Sequence, residues 1–159
     1  MKRLVSLLFV AAVFGLVIAS CGKDDPDEPV VQTQQLESEH GEANDTYLVY
    51  DIDLSKDSST IYVYNAVFSM GETTSPALTV RVDAPCTVDK TGKVFTYSGT
   101  DIIPYLVRGN PVPVPSLRVN NLISVVDVEK KTYFISFKCQ GTVMGKEING
   151  YYEKEGKLK

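Results

Sequence analysis

The chain has 159 residues, with 16 Lys+Arg against 20 Asp+Glu and a formal charge of −4. An acidic chain is a poor match for a phosphate backbone, so no nucleic acid is expected as a partner. With 43% hydrophobic residues the chain can bury one real core, and its length suits a single domain.

Lys2 and Arg3 give a positive start, and Leu4 to Ile18 is apolar apart from Ser6 and Gly15. Ala19 and Ser20 are small. Charged, greasy, then small is the layout of a secretory signal peptide over residues 1–20. A membrane span needs roughly 20 apolar residues, more than this run offers. Ile18-Ala19-Ser20-Cys21 resembles the lipobox of bacterial lipoproteins. That resemblance implies a lipid on the Cys21 sulfur, removal of residues 1–20, and a membrane held through the N-terminal lipid. One acyl chain anchors only marginally, whereas two or three on one residue anchor stably. The alternative is an ordinary signal peptide with a coincidental cysteine. Cleavage would remove two of the 16 basic residues, leaving 14 against 20 acidic ones and a charge of −6.

Residues 21–43 read as a tether, since GKDDPDEP is too charged and proline-rich to build a core. Its acids, Asp24, Asp25, Asp27 and Glu28, resemble the acidic tract behind the lipid cysteine in surface-exposed lipoproteins of Bacteroidetes-type bacteria. The location so implied is the outer membrane, facing the exterior; a periplasm-facing attachment is the alternative.

Residues 44–159 alternate as strands do. In TYLVYDIDLS, Leu48, Tyr50, Ile52 and Leu54 share one face, with Asp51 and Asp53 on the other. In TIYVYNAVFSM, alternation puts Tyr62, Tyr64, Ala66, Phe68 and Met70 together, with Ile61, Val63 and Val67 opposite. LTVRV turns Leu78, Val80, Val82 and Ala84 inward, and DKTGK is a turn. KVFTYS is a further strand, LRVNNLISVVDV and TYFISFKCQ form a hairpin across VEKK, and EINGYYE is the last strand. An eighth strand is placed in Asp101–Val107. The expected fold is all-β, an antiparallel meander of seven to eight strands closed as a barrel, with a β-sandwich as the alternative.

Half of the eight prolines fall in PYLVRGNPVPVP, residues 104–115. Pro111, Pro113 and Pro115 lack N–H donors, so this segment is an edge or a crossing connector rather than a central strand. It is read either as a stiff link or as a partner-binding lip at a barrel mouth.

TIYVYNAVFS with LTVRVDAPC, then SGTDIIPYL, then SLRVNNLISVVDVEKKTYFISFKCQG through GYYEKEGKL, resemble in layout the calycin-like β-barrel lipoproteins of Bacteroidetes. The resemblance implies a barrel that holds a small apolar ligand. It points to Tyr62, Tyr64, Phe68, Tyr133, Ile135 and Phe137 as ligand-facing residues.

Catalytic machinery is not expected. The single histidine, His40, falls in the tether, and no nucleophile–base arrangement, metal motif or phosphate loop is present in the sequence. Asp51 and Asp53, with Asp83, are read as an outward polar face or as ligands for a hard cation, the former being preferred. No cofactor or metal is expected. Cys86 and Cys139 fall on inward faces, either as a disulfide of an exported protein or as two buried thiols. The function so outlined is a non-catalytic, lipid-anchored envelope protein that binds a small hydrophobic ligand. The alternative is a structural or interaction protein that docks on another envelope component.

Overall fold

A computed structural model describes residues 32–70 and 72–159. The expected signal peptide, Cys21 and the tether up to residue 31 lie outside the described residues. Every regular element among those described is a strand: β1 (Thr33–Glu37), β2 (Tyr47–Asp53), β3 (Ser59–Ala66), β4 (Ser69–Met70), β5 (Thr73–Thr74), β6 (Leu78–Ala84), β7 (Cys86–Val88), β8 (Val94–Gly99), β9 (Tyr105–Arg108), β10 (Asn110–Pro113), β11 (Leu117–Asp127), β12 (Thr132–Val143) and β13 (Lys146–Lys157). A six-stranded sheet runs β1-β2-β3-β6-β9-β10, a five-stranded sheet runs β13-β12-β11-β8-β7, and β4 and β5 form a small ribbon. All pairings are antiparallel.

The fold is all-β, as expected, but it is not a simple meander and the sheets do not close into a barrel. Proline explains the departure. β6 ends at Ala84, paired with Ser59 of the first sheet. Pro85 has no N–H to continue that ladder, and Cys86 opens β7 against Tyr97 of the second sheet. The chain thus changes sheets at Pro85, and β6 takes β9 rather than β8 as its further neighbour. A second seam joins the sheets where Ser38 bridges Leu158. There the Glu39 N–H donates to the Lys157 carbonyl at 2.8 Å, and the Lys159 N–H to that of Glu37 at 3.0 Å.

The expected tether extended to residue 43, but residues 33–37 are a strand paired with β2 from Thr33↔Asp53 to Glu37↔Val49. An edge strand is held by backbone hydrogen bonds, so TQQLE needs no apolar period; only Leu36 packs on the core. His40 is likewise docked rather than free. Its Nε2 lies 3.0 Å from Glu37 Oε1, and its ring stacks on Tyr47 at 4.3 Å.

Two bulges decide which side chains face inward. The β3–β6 register shifts between Val63 and Ala66, with Asn65 at φ 54. The β11–β12 register shifts between Asn120 and Ile123, with Asn121 at φ 52. Asparagine tolerates this left-handed region better than a branched residue does, and the extra residue moves the following side chains to the other face. Ile61 and Val63 are therefore buried before the first bulge, and Ala66 and Phe68 after it. After the second bulge Leu122, Ser124 and Val126 point inward.

Between the sheets, Leu48, Tyr50 and Ile52 of β2 meet Phe95, Tyr97, Ile135 and Phe137 in one hydrophobic cluster. Burying each large side chain contributes about 1.5–3 kcal/mol. Ser124 donates to the Phe134 carbonyl at 2.8 Å, so the Tyr50 hydroxyl, 3.0 Å from Ser124 Oγ, acts as donor to it. Gly141 sits at φ 147, where an added Cβ would come within 1.9 Å of the Ser116 carbonyl oxygen. Only glycine lets β12 pass this close to the start of β11.

The Asn65 amide also donates to the carbonyls of Ala43 at 3.1 Å and Asp45 at 3.0 Å. Asn65→Val should lose about 2–3 kcal/mol of stability, from a branched residue at positive φ and the lost hydrogen bonds. Asn65→Gly should lose clearly less, because it keeps the backbone conformation. Urea unfolding of the two variants checks the order; equal losses would remove the backbone explanation.

Candidate functional site

Along the inward face of β12 the side chains shrink: Tyr133, Ile135 and Phe137 are followed by Cys139, Gly141 and Val143. On the facing sheet Ala66 pairs with Leu78. Where the large rings stop, the sheets enclose a cavity of about 640 Å³ that is partly open to solvent. One wall comes from Leu78 and Val80 of β6, with Leu106 of β9 and Val112 of β10. Opposite them stand Leu117 of β11, Cys139 and Val143 of β12, and Ile148 of β13. Phe68, Ser75 and Pro76 close the side formed by the segment around the ribbon.

The wall is almost wholly apolar. Ser75, the one hydroxyl residue in it, is already engaged, since its Oγ accepts the Phe68 N–H at 3.0 Å. No carboxylate stands among the described lining residues. Apolar groups also rim the mouth: Met144 is 98% exposed and Val112 60%. Arg108, at the end of β9, and Lys146, at the start of β13, bring one cation from each sheet to the lining. Both are exposed, and neither forms an ion pair with another described residue.

The proline-rich segment 104–115 is the β9–β10 hairpin. Pro111 pairs with Val107 and Pro113 with Tyr105, and the proline-bearing β10 lies at the sheet edge, where no further strand needs its donors. Pro104, Leu106, Val112 and Val114 all face the cavity, so the segment forms part of its wall.

Of the six residues expected to face a ligand, only Phe68 lines this cavity. Tyr133, Ile135 and Phe137 are buried as the alternation implied, but they fill the packed core. Tyr62 and Tyr64 lie on the outer face of β3, because the bulge at Asn65 breaks the alternation that seemed to join them to Phe68. There Tyr64 stacks on Tyr47 at 4.5 Å, and Tyr62 lies tilted 6.0 Å from Tyr64. With His40 covering Tyr47, the stacked faces are used within the protein. Leu106, Val112, Val114 and Ile148 were not foreseen as cavity residues. The only signal was the apolar residues placed between prolines at 104–115.

Cys86 and Cys139 are free. The strand order puts β11 and β8 between their strands, a lateral separation of about 14 Å. The row Cys86↔Tyr97, Tyr97↔Ser124, Ser124↔Ile135 then ends four residues short of Cys139. A disulfide needs Cα atoms within about 7 Å, so of the two alternatives the structure has the free thiols and not the bridge. Shared inward parity placed both cysteines near the core without making them neighbours. Burial pushes the Cys139 thiol up to about 11, and burial also raises that of Cys86. Neither is an activated nucleophile at neutral pH.

Asp51, Asp53 and Asp83 border a separate, small polar cleft. Lys56 Nζ lies 2.7 Å from Asp53, and Arg81 binds Asp83 through two nitrogens at 2.9 and 2.7 Å. Hydrogen bonds from Lys56 and then Ser55 hold the Asp53 carboxyl below its ordinary range. Among the described residues no group of three or more His, Cys, Asp or Glu is arranged to hold a metal ion.

No family model, curated protein or solved structure matches the chain.

Under denaturing conditions without reductant, both Cys86 and Cys139 should alkylate fully. Mass spectrometry of the domain would refute the strand order if it found the two joined. In the folded protein at neutral pH, Cys139 should react much more slowly than Cys86, whose side chain is less buried.

Proposed function

We propose that this chain is a non-catalytic, lipid-anchored protein of the bacterial cell envelope that binds a small hydrophobic ligand between its two sheets. The observation that carries the reading is the cavity of about 640 Å³ with its apolar wall. Small-molecule sites commonly measure about 300–1,000 Å³ and are lined chiefly by apolar side chains. Rings pack one part of the interior and leave the other open, which supports the ligand-binding reading. A cavity left empty of side chains forfeits dispersion contacts, and an apolar occupant would restore them.

The anchor rests on the Ile18-Ala19-Ser20-Cys21 sequence behind an apolar run. A lipid on Cys21 with the acidic tract after it supports an outer-membrane location with the domain facing outward. Docking on another envelope component has weaker support, because the stacked rings of the outer tyrosine row cover one another rather than present open faces.

The cavity is tested with the full chain and the neutral fluorescent probe phenylnaphthylamine. Wild type should show saturable, single-site binding. Leu106→Trp, which fills the cavity from the strand next to the sheet edge, should weaken that binding at least about tenfold while circular dichroism stays unchanged. A folded wild-type protein that binds no probe would overturn the reading.

The anchor is tested by Cys21→Ser. The variant should either remain uncut or leave the membrane fraction. Processing and membrane partition equal to wild type would show that Cys21 carries no lipid.

A further inference from the structure

We infer that the ligand is an anionic amphiphile, with its apolar tail enclosed by the sheets and its charged head held at the mouth between Arg108 and Lys146. The inference deepens the proposed function and rests on that reading of the cavity.

The interior offers nothing to a polar head. Its one hydroxyl residue, Ser75, already accepts a backbone N–H, and the remaining inner wall is aliphatic, aromatic or thiol. A polar group carried inside would lose its hydration without gaining a partner, at a cost of about 1–3 kcal/mol, and a charge would lose more. Whatever enters must therefore be apolar along its buried length. Any head group must stay at the opening.

The opening selects the sign of that head. The chain as a whole is acidic, yet among the described lining residues the charged ones, Arg108 and Lys146, are both cations and none is a carboxylate. They come from different sheets, Arg108 from β9 and Lys146 from β13. Of the other described cations, Lys56, Arg81, Arg118, Lys130 and Lys159 are each paired with a carboxylate, while Lys90, Lys131, Lys138 and Lys157 form no ion pair with a described residue. Arg108 and Lys146 have no such partner among the described residues. The neighbouring acid, Glu147, follows Lys146 in β13 and so points to the opposite face of the strand. Exposed Met144 and Val112, in the same lining, supply an apolar threshold across which a tail can pass. An arginine fork and a lysine ammonium both suit a carboxylate or a phosphate monoester, so the shared chemistry is a single anionic head on an apolar chain.

The test uses the full chain and displacement of phenylnaphthylamine by four amphiphiles of equal chain length: dodecanoate, dodecyl phosphate, dodecanol and dodecylammonium. Each is kept below the concentration at which it self-aggregates. At least one anion should bind about tenfold tighter than dodecanol, with dodecylammonium weakest. The margin should shrink as salt is raised. The stronger anion assigns the head as carboxylate or phosphate. In the variant carrying both Arg108→Gln and Lys146→Gln, the anions should fall to the affinity of dodecanol, while dodecanol and the probe bind as before. If dodecanol matches both anions in wild type, or if the double variant keeps the preference, the anionic assignment is wrong and apolar binding stands. If neither probe nor amphiphile binds the folded wild type, the cavity reading fails and this inference fails with it.

Discussion

The constraint on which this structure depends is the two-residue alternation of a β-strand. In β3 and β11 that alternation slips phase at a bulge, and the slip decides which apolar side chains stay inside. Asn65 and Asn121 supply the slip, each in the left-handed region. Uninterrupted alternation would put Val67 and Ile123 inside; instead they are about half exposed, at 51% and 50%. In their place Phe68 reaches the cavity and Ser124 reaches the core. The Ser124 position in turn gives the Tyr50 hydroxyl its partner across the interior. Without one, a buried hydroxyl would cost about 1–3 kcal/mol.

Sheet pairing and side-chain size then divide the interior into two parts. Tyr50, Phe95, Tyr97 and Phe137 fill one region so fully that none is more than 1% exposed. The other region is bounded by Cys139, Gly141 and Val143 on β12 and by Leu78 and Val80 on β6, and these side chains do not span the gap. Gly141 has a local cause as well, because backbone approaches backbone there. The same glycine that admits the crossing of β12 and β11 thus removes a side chain from the sequence of residues that faces inward. The edge hairpin β9–β10 completes the wall. Its prolines keep a sheet edge from offering a full row of donors to another chain, a familiar protection against edge-to-edge pairing.

Electrostatics follows the same division. Several carboxylates of the outer faces hold cations of their own, as Asp83 does Arg81 and Asp53 does Lys56. The cavity mouth reverses this arrangement, with cations from both sheets and no acid among the described lining residues. Burial holds the Cys139 thiol neutral, so it serves as a small apolar group in the wall.

Strand identity was legible in the sequence because burial of one face forces alternation. β2, β6 and the second arm of the hairpin, β12, show inward faces that their residues alone imply: Leu48, Tyr50 and Ile52; Val80, Val82 and Ala84; Tyr133, Ile135, Phe137 and Cys139. The edge placement of the prolines at 111 and 113 was legible for an equally local reason, the missing N–H. Tertiary structure alone decided the rest. β1 is polar and is held by backbone pairing, which leaves no side-chain period to read. The outward turn of Tyr62 and Tyr64 depends on a bulge that a single asparagine does not announce. The separation of Cys86 from Cys139 depends on strand order, which alternation does not encode. The cavity arises from small residues on strands far apart in sequence, and its mouth from Arg108 and Lys146, which become neighbours of one opening only when the two sheets face each other. Local chemistry determines which face of a strand is apolar; the volume enclosed between two such faces is set by how the sheets pack.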